Sequence, residues 1–353
     1  MSELSEGAPT GAASRAGSRW FGTRVQIWLG LILALITVYL AARTVDFHQL
    51  VLALQEARLP FIVLTLIASV VVTILKGLRW RALFYPQRPR LSLLRLCDLI
   101  VIGQAVNYYI PARLGEVVRA YLTGEEAGIS KSYALGTIAA EKLIDIIMLA
   151  ILVAGMLPFL ALPDWLATRL WPVFFAALAV GILVAILLGS RRAILQVVDW
   201  VLRWLPASLA ERWHSRISAG LNGLSGLGKP RAAAAVWGWT VAFWLVAGLT
   251  NYLLLLAFDL PASPLIAVFL LVVLQAGVAV PSTPGKIGVF HYLCMIALSV
   301  FGIPTTVGLA YGLTLHALVV GGVSVWAAIA MWRRSWGLRR LAQASQGNPS
   351  SVS

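Results

Sequence analysis

Six long apolar runs organise the chain: residues 25–42, 60–75, 133–157, 170–189, 232–258 and 306–332. Each is long enough to read as a helix crossing a membrane. The first run spans about 27 Å as a helix. It exceeds the core of a secretory leader and reads as an anchor. Two further apolar stretches, 96–110 and 265–280, are interrupted instead of ending in polar loops. The first runs into Pro111, the second into Pro281-Ser-Thr-Pro284-Gly285. Proline removes a backbone donor and glycine loosens the chain, so each site predicts a helix broken within the membrane and turning back as a hairpin. Segments 46–58 and 193–205 mix apolar residues at helical spacing with charges, and read as helices lying on the membrane surface.

Composition agrees with this pattern. Hydrophobic residues make up 60% of 353, charged residues 12%, and the mean hydropathy is +0.86. A soluble domain carries about 25% charged residues, so a soluble enzyme, a disordered chain and a disulfide-stapled module are excluded. Cys97 and Cys294 both lie in apolar runs and offer neither a disulfide framework nor a CxxC metal pair. No catalytic, metal-ligating or cofactor motif stands in a supporting context, so a non-enzymatic protein without cofactor or metal is expected. The net charge of +14 has no soluble basic domain to carry it, which argues against nucleic acid. If both broken segments return to the side they entered, 20 of the 28 basic residues fall on the side of the two termini and 3 on the other. That asymmetry predicts an inner or plasma membrane protein with both termini cytoplasmic. The expected organisation is a polar tail over 1–20, a transmembrane domain over 21–335 and a second polar tail over 336–353.

The two breaks resemble each other. Pro111-Ala-Arg113-Leu-Gly115 and Pro284-Gly-Lys286-Ile-Gly288 share the pattern P-x-[RK]-[LI]-G at an offset of 173. Gly128-Ile129-Ser130 matches Gly302-Ile303-Pro304 at 174, and Gln104-Ala105 and Gln275-Ala276 each precede a break. A nearly constant offset across separate features marks an internal repeat. The halves, about 25–157 and 170–332, each contain three crossings and one broken hairpin. An odd number of crossings inverts the second half. The expected fold is therefore all-α: a polytopic bundle of six spans and two broken hairpins in two inverted repeats. Transporters of this kind place their site where the breaks meet.

Charges inside the membrane are costly and mark function or tight pairing. They are Arg113, Glu116 and Arg119 after the first break, then Glu141, Lys142 and Asp145 in the next run. Glu116 and Arg119 share a helical face, as do Glu141 and Asp145, and Lys142 is placed to pair with Glu116. In the second half Lys286, His291 and His316 hold comparable places, with His316 at the repeat position of Lys142. Helix N-termini freed by a break favour anions, and Arg or Lys adds a direct phosphate contact. A phosphate-bearing lipid headgroup is the ligand these residues suggest. Arg79-Trp80 and Arg81, at the end of the second run, read as an interface anchor. Pro111, Pro281, Pro284, Gly115, Gly285 and Gly288 shape the breaks.

The stretches Gly103-Gln-Ala-Val-Asn-Tyr-Tyr-Ile-Pro111-Ala-Arg113-Leu-Gly115-Glu116-Val-Val-Arg119, Glu141-Lys142-Leu-Ile-Asp145 and Pro281-Ser-Thr-Pro284-Gly285-Lys286-Ile-Gly288-Val289, together with Arg79-Trp80, resemble the lysylphosphatidylglycerol synthase transmembrane, or flippase-like, family. The resemblance covers roughly residues 25–332. It implies a multi-pass inner-membrane protein that moves lipids or lipid-linked headgroups between leaflets. Bifunctional members carry a soluble aminoacyl transferase domain after the membrane part. Here only a polar tail follows Trp332, so synthase activity is not carried over. The family often has Arg at the place of Lys142 and His316 and an acidic residue at that of His291. Two alternatives remain open: a membrane-embedded transferase acting on polyprenyl-phosphate sugars, and a non-transporting partner of a cell-envelope enzyme.

Overall fold

The computed structural model describes residues 47–87, 89–110, 114–159, 191–204, 206–277 and 284–333, with the single positions 175 and 179. The predicted run 25–42, nearly all of 170–189, both tails, and Pro111, Arg113 and Pro281 lie outside the described residues. Among the described residues the chain is helical throughout, without strands. The helices are α1 (Phe47–Glu56), α2 (Leu59–Leu83), α3 (Leu93–Tyr109), α4 (Gly115–Ala127), α5 (Lys131–Met156), α6 (Arg191–Leu202), α7 (Ala207–Asn222), α8 (Pro230–Ala257), α9 (Pro264–Gly277), α10 (Val289–Ser299) and α11 (Thr305–Trp332). Helix α11 contains one π turn, Ala317–Gly321.

Helices α2, α8 and α11 are each long and apolar enough to cross a membrane. Helix α5 has the length, at 26 residues, but carries the predicted charges in its middle. Proline sits in the first turn of both α2 and α8, where its missing N–H would be unpaired in any case. The two helices pack along their length. They run antiparallel, because the Arg58 amide ahead of α2 donates to the Ala257 carbonyl ending α8, at 2.8 Å. Helix α2 continues past the predicted end at residue 75 to Leu83. The physical reason is that Lys76 and Arg79 turn inward, so the charges that looked like a loop belong to the bundle. Helix α7 has no counterpart in the sequence-based expectation. It crosses α5 where Gly136 faces Gly220 so closely that a β-carbon on Gly136 would strike the Gly220 carbonyl.

Helices α3 and α4 fold back on each other. Asn107 meets Gly115 and Gly103 meets Arg119, so the pair is an antiparallel hairpin. Helices α9 and α10 do the same: Gly277 meets Leu293, and Phe269 meets Phe301 with ring centroids 5.3 Å apart. These four helices have 17, 13, 14 and 11 residues, shorter than the ~20 residues of a full crossing. Each hairpin organises its own apolar core. One joins the end of α2 with α3, α4 and α5; the other joins α8, α9, α10 and α11.

The hairpins enter from opposite ends of the bundle. The base of the first is closed by Arg95 and Glu126 at 2.6 Å and lies beside the last turn of α11, where Arg333 meets Asp98 at 3.3 Å. The second leaves the far end of α8 and returns at the start of α11. Its turn, Pro284–Lys286, packs against α3. The two segments read as surface helices are helical. Helix α1 seats Leu50 against Met295 and Ala310, and α6 leaves Trp200 and Val201 exposed.

Candidate functional site

Most of the charges predicted within the first half pair with one another and with Arg79. Arg79, with its side chain 0% exposed, reaches Glu141 at 3.2 Å and binds Asp145 through both terminal nitrogens at 2.5 and 3.2 Å. Arg119 binds Glu141 with both terminal nitrogens, at 3.3 and 2.8 Å. The Arg119 guanidinium lies 3.6 Å from the Trp80 ring centroid, and the Trp80 indole donates to Thr137 at 3.0 Å. Lys142 meets Glu116 at 3.5 Å, as its position suggested. Three cations, Arg79, Arg119 and Lys142, thus face three carboxylates, Glu116, Glu141 and Asp145. Burial of charge is tolerated only with such pairing. Arg79 and Trp80 are buried; they do not form the interface anchor expected of them, because their partners lie inward on α5. Of that trio only Arg81 is exposed.

The tip of the first hairpin is held by Asn107. Its Oδ1 accepts from the Gly115 amide at 2.8 Å, capping the start of α4, and its Nδ2 donates to Glu116 at 3.0 Å. Gly115 is required by space: a β-carbon there would overlap the Gly103 carbonyl and sit 2.6 Å from Asn107 Oδ1. Gly115→Ala is therefore expected to force α3 from α4 and cost about 1–3 kcal/mol. Thermal unfolding of the purified protein checks this, and an unchanged midpoint would contradict the packing.

The tip of the second hairpin turns through Gly285 (φ 71), Lys286 (φ 58) and Gly288 (φ 86), the left-handed region that favours glycine. The His316 Nε2–H donates to the Gly285 carbonyl at 2.6 Å. The His291 Nδ1 accepts from the Gly288 amide at 3.3 Å, while its Nε2 is buried without a partner among the described residues. The two imidazoles lie 4.9 Å apart. Both tips therefore reach mid-helix positions: Glu116 meets Lys142 in α5, and Gly285 meets His316 beside the π turn of α11. The tips also reach each other, with the Lys286 Nζ 4.7 Å over the Tyr108 ring.

Beside this meeting point lies a cavity of about 670 Å³ walled by α2, α3, α8, α9 and α11. Its lining is mostly apolar, and its rim residues Leu66, Val70, Val325 and Ile329 are exposed. It therefore opens sideways between α2 and α11, where a membrane-embedded bundle meets acyl chains. The polar groups within it divide sharply. Ser69, Thr73 and Thr250 donate to carbonyls one turn back, and Asn251 is bonded to Ala267 and Tyr311. Lys76, Gln104 and Gln275 also line the cavity but make no hydrogen bond or ion pair with the described residues. The Lys76 Nζ rests 5.0 Å over the Phe243 ring.

Among the predicted site residues, Glu116, Arg119, Glu141, Lys142 and Asp145 come together, as do Lys286, His291 and His316. Arg113 lies outside the described residues. None of these described residues lines the cavity, and Arg119 is bound to Glu141 instead. Sequence reasoning passed over Lys76, whose position at the end of an apolar run looked like a loop. Asn107 was missed as well, as was Asp98, which is 2% exposed and accepts from the Trp326 indole at 2.9 Å. A lone carboxylate in an apolar run was the available signal for Asp98.

Comparison with known proteins bears on the identity of this architecture. The chain is 27% identical over 335 residues to a protein named glycosyltransferase AglD from Haloferax volcanii, an alignment covering 85% of the chain and 54% of that protein. The chain thus spans about half the length of the curated relative it matches. No solved structure matches it. Residues 27–327 match the family described as the lysylphosphatidylglycerol synthase TM region, and with most of its length covered this multi-pass membrane protein belongs to that family.

Proposed function

We propose that this protein is a carrier that moves a phosphate-bearing lipid between membrane leaflets, with the cavity between the hairpins as its binding site. The observation that carries this is the trio Lys76, Gln104 and Gln275, unpaired among the described residues, in an apolar cavity that opens sideways. A phosphate fits a lysine and two amide donors, and acyl chains fit the remaining wall. Two hairpins entering from opposite ends, with tips at the middle of α5 and α11, support the inverted-repeat reading. So does the spacing of Lys142 and His316, 174 residues apart. In this reading both termini are cytoplasmic, the protein is not an enzyme, and Lys286, His291 and His316 shape the second tip. Glu116, Arg119, Glu141, Lys142 and Asp145 pair with one another and with Arg79 and hold the first tip; Arg113 is placed with them by sequence.

The test is reconstitution of the full chain into phosphatidylcholine liposomes containing traces of fluorophore-labelled phosphatidylglycerol. Dithionite added outside bleaches the outer leaflet only, unless lipid moves. Bleaching of both leaflets is expected; bleaching indistinguishable from protein-free liposomes would contradict the proposal.

The name of the Haloferax volcanii relative favours one second reading, in which the lipid is a sugar carrier and the chain serves a glycosyltransferase of the cell envelope. Copurification of such an enzyme from native membranes, with its activity lost when this chain is deleted, would support it.

A further inference from the structure

A second cavity, of about 750 Å³, lies at the end of the bundle where α2 finishes and α8 begins. Three cations line it: Arg81 from the last turn of α2, Lys229 at the N-cap of α8 and Arg231 in its first turn. None makes an ion pair or hydrogen bond with the described residues, and the lining includes no carboxylate. The first turn of α8 has no side-chain cap, so its amides keep their donors for another partner. The positive end of a 28-residue helix adds to the same field. The opposite wall is apolar, formed by Leu78, Ala82, Ala235 and Trp239. This pocket shares no lining residue with the cavity of Lys76.

We infer that this pocket is a separate binding site for the phosphate of an anionic membrane lipid, held by Arg81, Lys229 and Arg231 with its acyl chains against the apolar wall. Scattered interfacial anchors would have neither a concave site nor orphan helix amides between them. The proposal rests on membrane embedding, not on transport through the central cavity. A lipid here is a fixed ligand that fastens α2 to α8 at one end of the bundle, and its site differs from that of a moving cargo.

The experiment is native mass spectrometry of the full chain in neutral detergent, titrated with phosphatidylglycerol against phosphatidylcholine. Each interfacial cation contributes about fivefold in affinity for an anionic lipid, so R81Q/K229Q/R231Q is expected to lower the phosphatidylglycerol preference by on the order of 100-fold. Its unfolding midpoint without lipid should match wild type, because none of the three side chains has an internal partner. K76M should keep this tight site and lose only binding to the central cavity, which separates the two proposals. Preference for phosphatidylglycerol undiminished in the folded triple variant would overturn the inference. Displacement of the lipid by inorganic pyrophosphate would overturn its assignment to a lipid, since a site built for acyl chains should release nothing to the free anion.

Discussion

Glu141→Gln is expected to be among the most destabilising single substitutions in this protein. Glu141 is the one carboxylate that touches both Arg79 and Arg119. With an amide in its place, Arg79 keeps Asp145, but Arg119 has no counter-charge. Removing one partner of a buried pair costs about 3–5 kcal/mol, because the remaining charge cannot reach water. The Nε atoms of both arginines already lack partners among the described residues, so neither guanidinium has spare bonding there to fall back on. Thermal unfolding in detergent should fall by about 10 °C. The mechanism makes a second, sharper forecast. Arg119→Leu combined with Glu141→Leu removes both charges and leaves Arg79 with Asp145. That double variant should regain much of the lost stability, since apolar replacement of a whole buried pair is often neutral. A double variant less stable than Glu141→Gln alone would show that the network acts by something other than charge compensation.

Lys76→Met is expected to behave in the opposite sense. Lys76 makes no ion pair or hydrogen bond with the described residues and lines an apolar cavity, so its removal gives up only the contact with the Phe243 ring and relieves a partly buried charge. Stability should be unchanged or raised. Transport of labelled phosphatidylglycerol should fall by about tenfold to a hundredfold, the equivalent of a charged hydrogen bond of roughly 1.5–3 kcal/mol. A residue that stabilises nothing and yet abolishes function is the pattern of a ligand contact. Gln104→Leu and Gln275→Leu should give smaller losses. Transport by Lys76→Met equal to wild type would remove the cavity from the mechanism.

Much of this architecture was legible in the sequence because membrane embedding leaves few choices. A long apolar run must be a helix, and Pro or Gly within it must break that helix. The Glu116–Lys142 pair was readable from helical spacing and the position of the break. The partners of Arg79 were not, because they lie 62 and 66 residues ahead on α5, and no local pattern says which face of α2 meets α5. Lys76 escaped for a related reason. A basic residue at the edge of an apolar run usually marks the membrane surface; only the packing of α2 against α8 shows that the helix runs two turns further. Asn107 looked like one polar residue before a break, and its two-sided role at Gly115 and Glu116 depends on the antiparallel return of α4.

The central claim is that a lipid phosphate sits beside Lys76 where the two hairpins meet. The most direct measurement is an electron cryomicroscopy structure of the full chain in nanodiscs containing phosphatidylglycerol. Headgroup density is expected within hydrogen-bonding distance, about 3 Å, of the Lys76 Nζ, with acyl chains leaving between α2 and α11. A cavity holding only acyl chains, with Lys76 paired to Asp145, would contradict it.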